Sequence, residues 1–257
     1  MPGKRSRVTY PTLKAGRAMI RTISPKAGRI IFGRCSACTV RSLSICGALD
    51  QADLAEFERI ARNFQFAPNT SIFTAGQVVG AVHNLTAGVA RLYKLMADGR
   101  RQVIGFALPG DFLGASPSYR YSFSADAINA VAACRLSREA FTHFIEQRPR
   151  FLLRINEFVA RELMQAQEQM LLLGRRTAEE KIAAFLIGWR KRLVHIGDER
   201  DIISLPMNRQ DIADYLGLTI ETVSRTLTRF ERERMLVIIS GGVRLLDSSR
   251  AEALAST

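Results

Sequence analysis

The sequence of 257 residues predicts an α+β protein with an N-terminal β-barrel of jelly-roll type, a long helix and a C-terminal winged helix-turn-helix. Three observations predict this order. Short apolar runs separated by Gly, Pro and Asp fill residues 71–137, a continuous helical pattern follows Pro149, and two short helical segments near the C-terminus precede two strand-like runs. We expect residues 35–147 to form the barrel domain, residues 148–175 the long helix and residues 176–257 the winged domain.

Net charge indicates the class of partner. The formal net charge is +13 and the pI is near 10.3, which favours nucleic acid or an anionic membrane surface. Residues 1–34 contain nine Lys or Arg and no acidic residue, which predicts a solvated, disordered tail, with Met19 as an alternative start. The tail lacks an apolar face, and no apolar run approaches a membrane span. We therefore expect a cytoplasmic protein that binds no membrane.

No pattern in the chain predicts an enzyme. The three His residues, His83, His143 and His195, are scattered through different predicted elements, and the chain has no phosphate-binding Gly loop or nucleophile elbow. The single tryptophan, Trp189, lies among apolar residues of a helix predicted over residues 177–194, so we interpret it as a core residue.

One hairpin of the barrel has a clear turn signal. Asp98-Gly99 lies between two strand-like runs. This pair predicts a type I′ turn, because both central residues of that turn need positive φ.

A heptad seam follows the barrel. Five residues on the predicted long helix are spaced 4, 3, 4 and 3 apart. The spacing fits a helix that packs on its own domain, and it equally fits a helix that pairs with a second copy. The seam residues are Val159, Leu163, Ala166, Met170 and Leu173.

The segment from residue 208 to residue 230 predicts two helices joined by a tight turn, and a wing follows it. Asn208 and Thr219 are expected N-caps, and Gly217 ends the first helix because Gly enters the left-handed conformation at little cost. Outward side chains on the second helix are of types that contact base edges in the major groove, although an ordinary solvated face would look similar. They are Glu221, Thr222, Ser224 and Arg225, with Thr228 and Arg229 farther along.

Three of the four cysteines, Cys35, Cys38 and Cys46, are clustered, and Cys134 is remote. In a reducing compartment such clustering indicates metal or redox chemistry, and thiolates are soft ligands that suit iron–sulfur clusters or zinc. A four-thiolate zinc site and metal-free reactive thiols remain alternatives. Cys134 alone would be interpreted as a core cysteine.

The order of barrel, long helix and winged helix-turn-helix resembles the CRP/FNR family of bacterial transcription regulators, over roughly residues 35–247. The stretch LGLTIETVSR resembles the FNR branch, whose E-x-x-S-R motif corresponds to Glu221, Ser224 and Arg225. The resemblance implies a barrel like a cyclic-nucleotide-binding domain, a homodimer, palindromic DNA sites with TTGAT-type half-sites, and RNA polymerase as a partner. It also implies that Cys35, Cys38, Cys46 and Cys134 hold an oxygen-labile [4Fe-4S] cluster.

Three positions depart from the family patterns. Nucleotide-binding barrels use a Gly-Glu motif and an Arg before Ser/Thr-Ala, where this chain has Gly110-Asp111 and Phe123. A cyclic phosphate would lack its Arg partner, so no cyclic nucleotide is expected.

Ala166, on the predicted long helix, stands where the family has an acid that keeps the cluster-free form monomeric. A regulator that senses heme, nitric oxide or an organic ligand in the barrel is the remaining alternative.

Overall fold

The computed structural model describes residues 35–115, 118–175 and 177–256. The expected basic tail, residues 1–34, and the alternative start at Met19 lie outside these residues. In the described part of the chain, no helix is long and apolar enough to cross a bilayer. The fold class is the predicted one: a barrel, a long helix and a winged helix-turn-helix follow one another.

Eight short strands in the described residues form the barrel. They are β1 (Arg62–Phe66), β2 (Ser71–Phe73), β3 (Ala81–Ala87), β4 (Ala90–Leu95), β5 (Arg101–Ala107), β6 (Phe112–Leu113), β7 (Ser124–Ala127) and β8 (Val131–Ser137). One sheet has the order β1-β8-β3-β6 and the other the order β2-β7-β4-β5, with antiparallel neighbours. This is the double sheet of a jelly roll, as predicted.

Aromatic side chains fill the space between the two sheets. The rings of Phe73 and Tyr121 stack with their centroids 4.1 Å apart, and the Tyr121 hydroxyl donates a 2.7 Å hydrogen bond to the carbonyl of Ala81. The buried His83 lies against the other side of this group, 6.0 Å from Phe73 between ring centroids. The interior is therefore a packed core.

Strands β4 and β5 form the predicted hairpin, but the predicted type I′ turn is wrong. Gly99 has φ of +84°, whereas Asp98 is not in the positive-φ region. The Gly99 amide donates to the Met96 carbonyl, and the Met96 amide donates to the Arg100 carbonyl. This pattern is a type I turn followed by a left-handed glycine. The loop is longer than the two-residue loop that Asp-Gly suggested.

Three helices flank the barrel in sequence: α1 (Gln51–Ile60), α2 (Arg138–Glu146) and α3 (Pro149–Arg175). Ser137 caps α2, as its sequence position suggests, by accepting the Ala140 amide at 3.1 Å. Helix α3 has 27 residues and is about 40 Å long. Helix α1 and strand β1 were not predicted.

The C-terminal part is the predicted winged helix-turn-helix, preceded by a helix. Its elements are α4 (Ala178–His195), β9 (Ile202–Ser204), α5 (Arg209–Leu216), α6 (Ile220–Arg232), β10 (Leu236–Ile239), β11 (Gly242–Leu245) and α7 (Ser248–Ser256). Asn208 and Thr219 cap α5 and α6, and Gly217 ends α5 at φ of +62°, as predicted. The wing contains a third strand, β9, beside β11, and α7 follows it; neither was predicted.

Candidate cysteine centre and recognition helix

The four cysteines come from a loop before the barrel and from strand β8. Cys35 begins a 3₁₀ turn at Cys35–Ala37, and Cys46 lies in a second one at Ile45–Ala48, where its amide donates to Ser44 Oγ at 3.2 Å. Cys134 on β8 faces Asn63 of β1 and Asn84 of β3 across the sheet. All four cysteines are in the described residues and are free thiols.

Hydrogen bonds fold this cysteine loop, residues 35–49, back onto the domain. The Cys35 amide donates to Glu58 Oε2 of α1 at 3.2 Å, and Arg41 Nη2 donates to the Leu49 carbonyl at 2.9 Å. The first bond attaches the start of the loop to α1, and the second joins two residues within the loop.

The pKa values place the four thiols in one electrostatic neighbourhood. Burial raises the pKa of Cys46 to about 12, the Ser44 hydroxyl lowers it, and the charges of the other three cysteines raise it. Burial also raises the pKa of Cys134 to about 12, and the charges of Cys35 and Cys38 raise it further. Burial raises the pKa of Cys35 as well. Four thiolates would be stable together only with cationic metal among them.

The four free cysteines are a donor set that suits either an iron–sulfur cluster or a zinc ion. Within residues 35–115, 118–175 and 177–256, no group of three or more His, Cys, Asp or Glu side chains is placed so that it could hold a metal ion. A tetrahedral zinc site would need its sulfur atoms about 3.8 Å apart, given the usual Zn–S distance. In an iron–sulfur cluster each thiolate binds a different iron, so the four sulfurs surround a larger group. Four cysteine thiols are the number of ligands that either group requires.

The cysteine loop shares one hydrophobic core with the start of α3. The Phe57 ring of α1 makes edge contacts with Phe144 at 5.3 Å and with Phe151 of α3 at 6.3 Å between centroids. Cys46 is buried in this core, and half-buried Phe158 of α3 packs against it. A displacement of the loop therefore acts directly on the packing of α3.

Arg148, just before α3, connects α1 to this core. Its Nε and Nη2 atoms each donate a 2.6 Å hydrogen bond, to Asp53 and Glu56 respectively, and its guanidinium lies 3.9 Å from the Phe144 ring centroid. Sequence reasoning missed this residue because α1 was not predicted. The available signal was Asp50, an N-cap before a helical apolar pattern.

The recognition helix α6 presents the predicted side chains to solvent. Glu221 and Arg225 are exposed, and Thr222 and Ser224 are partly exposed. Hydrogen bonds from its own amide and from Thr219 lower the pKa of Glu221, so its carboxylate is ionised and can accept from a base amino group. The opposite face is buried as predicted, through Val223, Leu227 and Phe230.

Arg229 has a structural position despite its exposure. It forms ion pairs with Glu179 of α4 and, at 2.7 Å, with Glu233. It joins α6 to α4, whereas the residues near the start of α6 remain available for bases.

Most of the seam on α3 is exposed to solvent. The exposed fraction is 57% for Val159 and Leu163 and 62% for Met170, and Leu173 and Ala166 are also exposed. Of the two interpretations of the seam, the exposed apolar face favours pairing with a second copy.

The turn at Gly110-Asp111, where nucleotide-binding barrels have their Gly-Glu motif, is in contact with other residues of the same chain. Gly110 has φ of +98°, and a Cβ there would lie 3.0 Å from the Cβ of Leu43 in the cysteine loop. The Asp111 carboxylate accepts from the Leu108 amide and from Arg192 Nη2 of α4, both at 2.7 Å. Burial raises the pKa of Asp111, and Arg192 opposes that shift.

Comparisons with known proteins agree with this geometry. The family described as "Bacterial regulatory proteins, crp family" matches residues 205–236, and the family described as "Cyclic nucleotide-binding domain" matches residues 63–148. The solved structure of FixK2 from Bradyrhizobium japonicum aligns with a TM-score of 0.72 at 32% identity, over 77% of this chain and 98% of that one.

Two curated relatives cover most of the chain. The transcriptional activatory protein AadR of Rhodopseudomonas palustris is 58% identical over 224 residues, which is 87% of this chain and 94% of the relative. The nitrogen fixation regulation protein FixK of Bradyrhizobium diazoefficiens is 54% identical over 222 residues, with 86% and 94% covered. With the jelly-roll barrel, the long helix and the winged motif in place, these similarities make the chain a member of the CRP/FNR family of transcription regulators.

Proposed function

We propose that this regulator senses oxygen through a [4Fe-4S] cluster held by Cys35, Cys38, Cys46 and Cys134. As a homodimer with its cluster intact, it binds palindromic DNA with TTGAT-type half-sites and controls genes of low-oxygen metabolism. Two observations support the proposal: the charges of the loop thiols and Cys134 raise one another's pKa, and Cys46 lies in the core that holds the start of α3.

The cluster would supply an oxygen-labile cross-link between the cysteine loop and β8. With the loop held there, Cys46 and Phe57 keep their contacts, and Phe151 fixes the first turns of α3. With the loop released, these contacts weaken because the loop has lost one of its anchors. Arg148, which donates hydrogen bonds to Asp53 and Glu56, would transmit a displacement of α1 to the start of α3.

Pairing through the α3 seam supports the homodimer. Val159, Leu163 and Met170 expose apolar surface that a second α3 would bury. Two copies of α6 would then lie about one DNA turn apart, as a palindrome requires. A monomer contacts only one half-site, so loss of pairing weakens DNA binding.

Sequence recognition is assigned to the start of α6. Arg225 can donate two hydrogen bonds to guanine, the ionised Glu221 can accept from cytosine, and Ser224 can do either. All three are at least partly exposed on the helix that a winged motif inserts into the major groove.

We propose that the protein acts in the cytoplasm and activates transcription through RNA polymerase. The names of the relatives support activation itself. The relatives include a transcriptional activatory protein and the transcriptional activator protein FnrL of Cereibacter sphaeroides, which is 33% identical over 230 residues. We also propose that no cyclic nucleotide is bound. The Asp111 carboxylate already accepts a hydrogen bond from Arg192, and the Phe123 ring packs on Phe73.

The test is iron and acid-labile sulfide content, with the visible spectrum, on full-length protein purified without oxygen and then exposed to air. We expect about four irons and four sulfides per chain, lost in air. Sedimentation should show dimers before air and monomers after it. Fluorescence anisotropy should show at least tenfold weaker binding to the palindrome after exposure.

Matched variants separate the cluster from other thiol chemistry. Cys134→Ser should lose the cluster and the air response, whereas Ser36→Ala, between Cys35 and Cys38, should retain both. One zinc per chain would contradict the oxygen sensor and leave a zinc or thiol regulator. A metal-free protein would point to the thiols themselves or to a ligand in the barrel. A cluster-free protein that stays dimeric with full DNA affinity would contradict the switch.

A further inference from the structure

A buried group of charged side chains joins the barrel to the winged domain. Arg91 of β4 and Arg101 of β5 each donate a 2.7 Å hydrogen bond to the same carboxylate oxygen of Asp211 in α5. Arg101 also donates to Asp214 at 2.8 Å, and Arg91 donates to Asp126 of β7 at 3.3 Å. The side chain of Asp211 is only 2% exposed. Two strands of the barrel therefore hold the first helix of the helix-turn-helix.

Asp211 has a second task in the same place. It completes the capping box of α5, since its amide donates to Asn208 Oδ1 at 2.8 Å and its carboxylate accepts the Asn208 amide at 3.3 Å. Nearby, Gln102 Nε2 donates to the Asp214 carbonyl at 2.6 Å. One carboxylate thus fixes both the start of α5 and its contact with the barrel, so orientation and helix geometry are linked.

Further contacts extend this interface to α4. Arg192 binds Asp111 of the barrel, and the Trp189 ring meets Phe106 of β5 edge-on at 5.9 Å between centroids. Charged groups taken out of water in this way are costly to separate, because each one left behind loses its partner in a partly dry site. Together, the two ionic contacts and the aromatic contact resist rotation of one domain on the other.

We propose that Arg91, Arg101, Asp211 and Asp214 form a latch that sets the orientation of the winged domain and thereby holds the two recognition helices at the half-site spacing. Asp211 is a positioning residue for DNA binding. The latch leaves the reading face of α6 open, since Glu221 and Arg225 are exposed. A winged domain that is already oriented loses less conformational freedom when it binds DNA. The proposal rests on palindromic DNA binding by a homodimer.

The first measurement needs no DNA. Trp189, the only tryptophan of the chain, is 3% exposed and touches the barrel, so acrylamide quenching of its fluorescence reports opening of the interface. In the full-length protein carrying Arg91→Met and Arg101→Met, we expect the quenching constant to rise at least threefold. Arg100→Met is the matched control, since Arg100 pairs with Asp98 inside the same hairpin and its side chain is 82% exposed.

The second measurement uses two duplexes, one with the native half-site spacing and one with extra base pairs between the half-sites. The latch variant should bind the native duplex about tenfold more weakly. It should also discriminate less between the two spacings, because its two recognition helices are no longer held at a fixed separation. Arg100→Met should keep both properties. A general loss of folding would not relax spacing discrimination in this selective way.

Exchanging the charges guards against simple misfolding. Arg101→Asp and Asp214→Arg should each raise the quenching constant, and the double exchange should lower it again and recover spacing discrimination. Unchanged quenching in the latch variant overturns the proposal, as does raised quenching with unaltered spacing discrimination. If the wild type binds no palindrome although quenching responds as expected, the proposed DNA site is contradicted. The interdomain contact is then confirmed, and its role in half-site spacing is overturned.

Discussion

Gly217, in the turn between α5 and α6, lies against Leu173 near the end of α3: a Cβ on Gly217 would be 3.4 Å from Leu173 Cδ2. Four residues earlier on α3, Gln169 Nε2 donates to the Tyr215 carbonyl at 2.7 Å. The last turns of the seam helix therefore touch the helix-turn-helix turn directly, and a shift of α3 reaches the recognition helix without an intervening element.

Gly217→Ala should lower the free energy of unfolding by about 1–2 kcal/mol, because φ of +62° places the new Cβ near the following carbonyl. Gly188→Ala is the matched control within α4, where nothing lies within 4 Å of a new Cβ. It should be stabilising by about 0.5–1 kcal/mol. Urea unfolding followed by circular dichroism measures both. Equal effects of the two substitutions would contradict the assigned role of the left-handed turn.

Arg225→Met should reduce discrimination at one base pair of each half-site by about 1–3 kcal/mol. Competition between the preferred duplex and a duplex with that base pair replaced measures the loss. Arg229→Met serves as the comparison, because Arg229 is paired with Glu179 and Glu233. It should change thermal stability and leave base discrimination unaltered. The reverse pattern would move base recognition away from the start of α6.

Leu163→Glu should weaken dimerisation at least tenfold, because it places two carboxylates in one apolar seam at the pairing axis. Sedimentation equilibrium under anaerobic conditions measures the dissociation constant. Gln165→Glu adds the same charge to α3 outside the heptad seam and should leave pairing intact. Equal dissociation constants for both variants would place the dimer contact on another face.

His83 should make stability fall as the pH is lowered. Burial and then the charge of Arg135 lower the pKa of His83 from 6.5 to about 4. Between these values the unfolded chain binds a proton that the folded chain does not, so stability decreases as pH falls, by up to about 3 kcal/mol at pH 4. Urea unfolding at pH 7.5 and pH 5 detects the slope. His83→Gln should remove it, and His143→Gln, at an exposed position, should keep it.

The winged motif could be predicted because its signals are local. Asn208, Gly217 and Thr219 stop and start helices through bonds within three or four residues, and all three do so in the structure. The latch could not be predicted. Arg91 and Asp211 are 120 residues apart, and nothing near either one indicates the other. Only the folded arrangement of β4 against α5 creates that pair.

The cysteine site lies between these cases. The spacing of Cys35, Cys38 and Cys46 is a local signal, whereas Cys134 had only the resemblance to support it. In the structure, the charges of Cys35 and Cys38 raise the pKa of Cys134, which lies on β8, one of the two central strands of its sheet. Helix α1 was not predicted, because the apolar pattern after its Asp50 cap is short and directly follows the cysteine loop.

The exposed seam of α3 has a consequence at the level of the cell. Pairing through Val159, Leu163 and Met170 is bimolecular, so the fraction of chains in dimers depends on how many copies are present as well as on the state of each one. Under the proposed oxygen response, a cell that makes more of the regulator would retain occupied promoters at a higher oxygen level. Expression of the gene would then set the oxygen threshold at which the proposed switch operates.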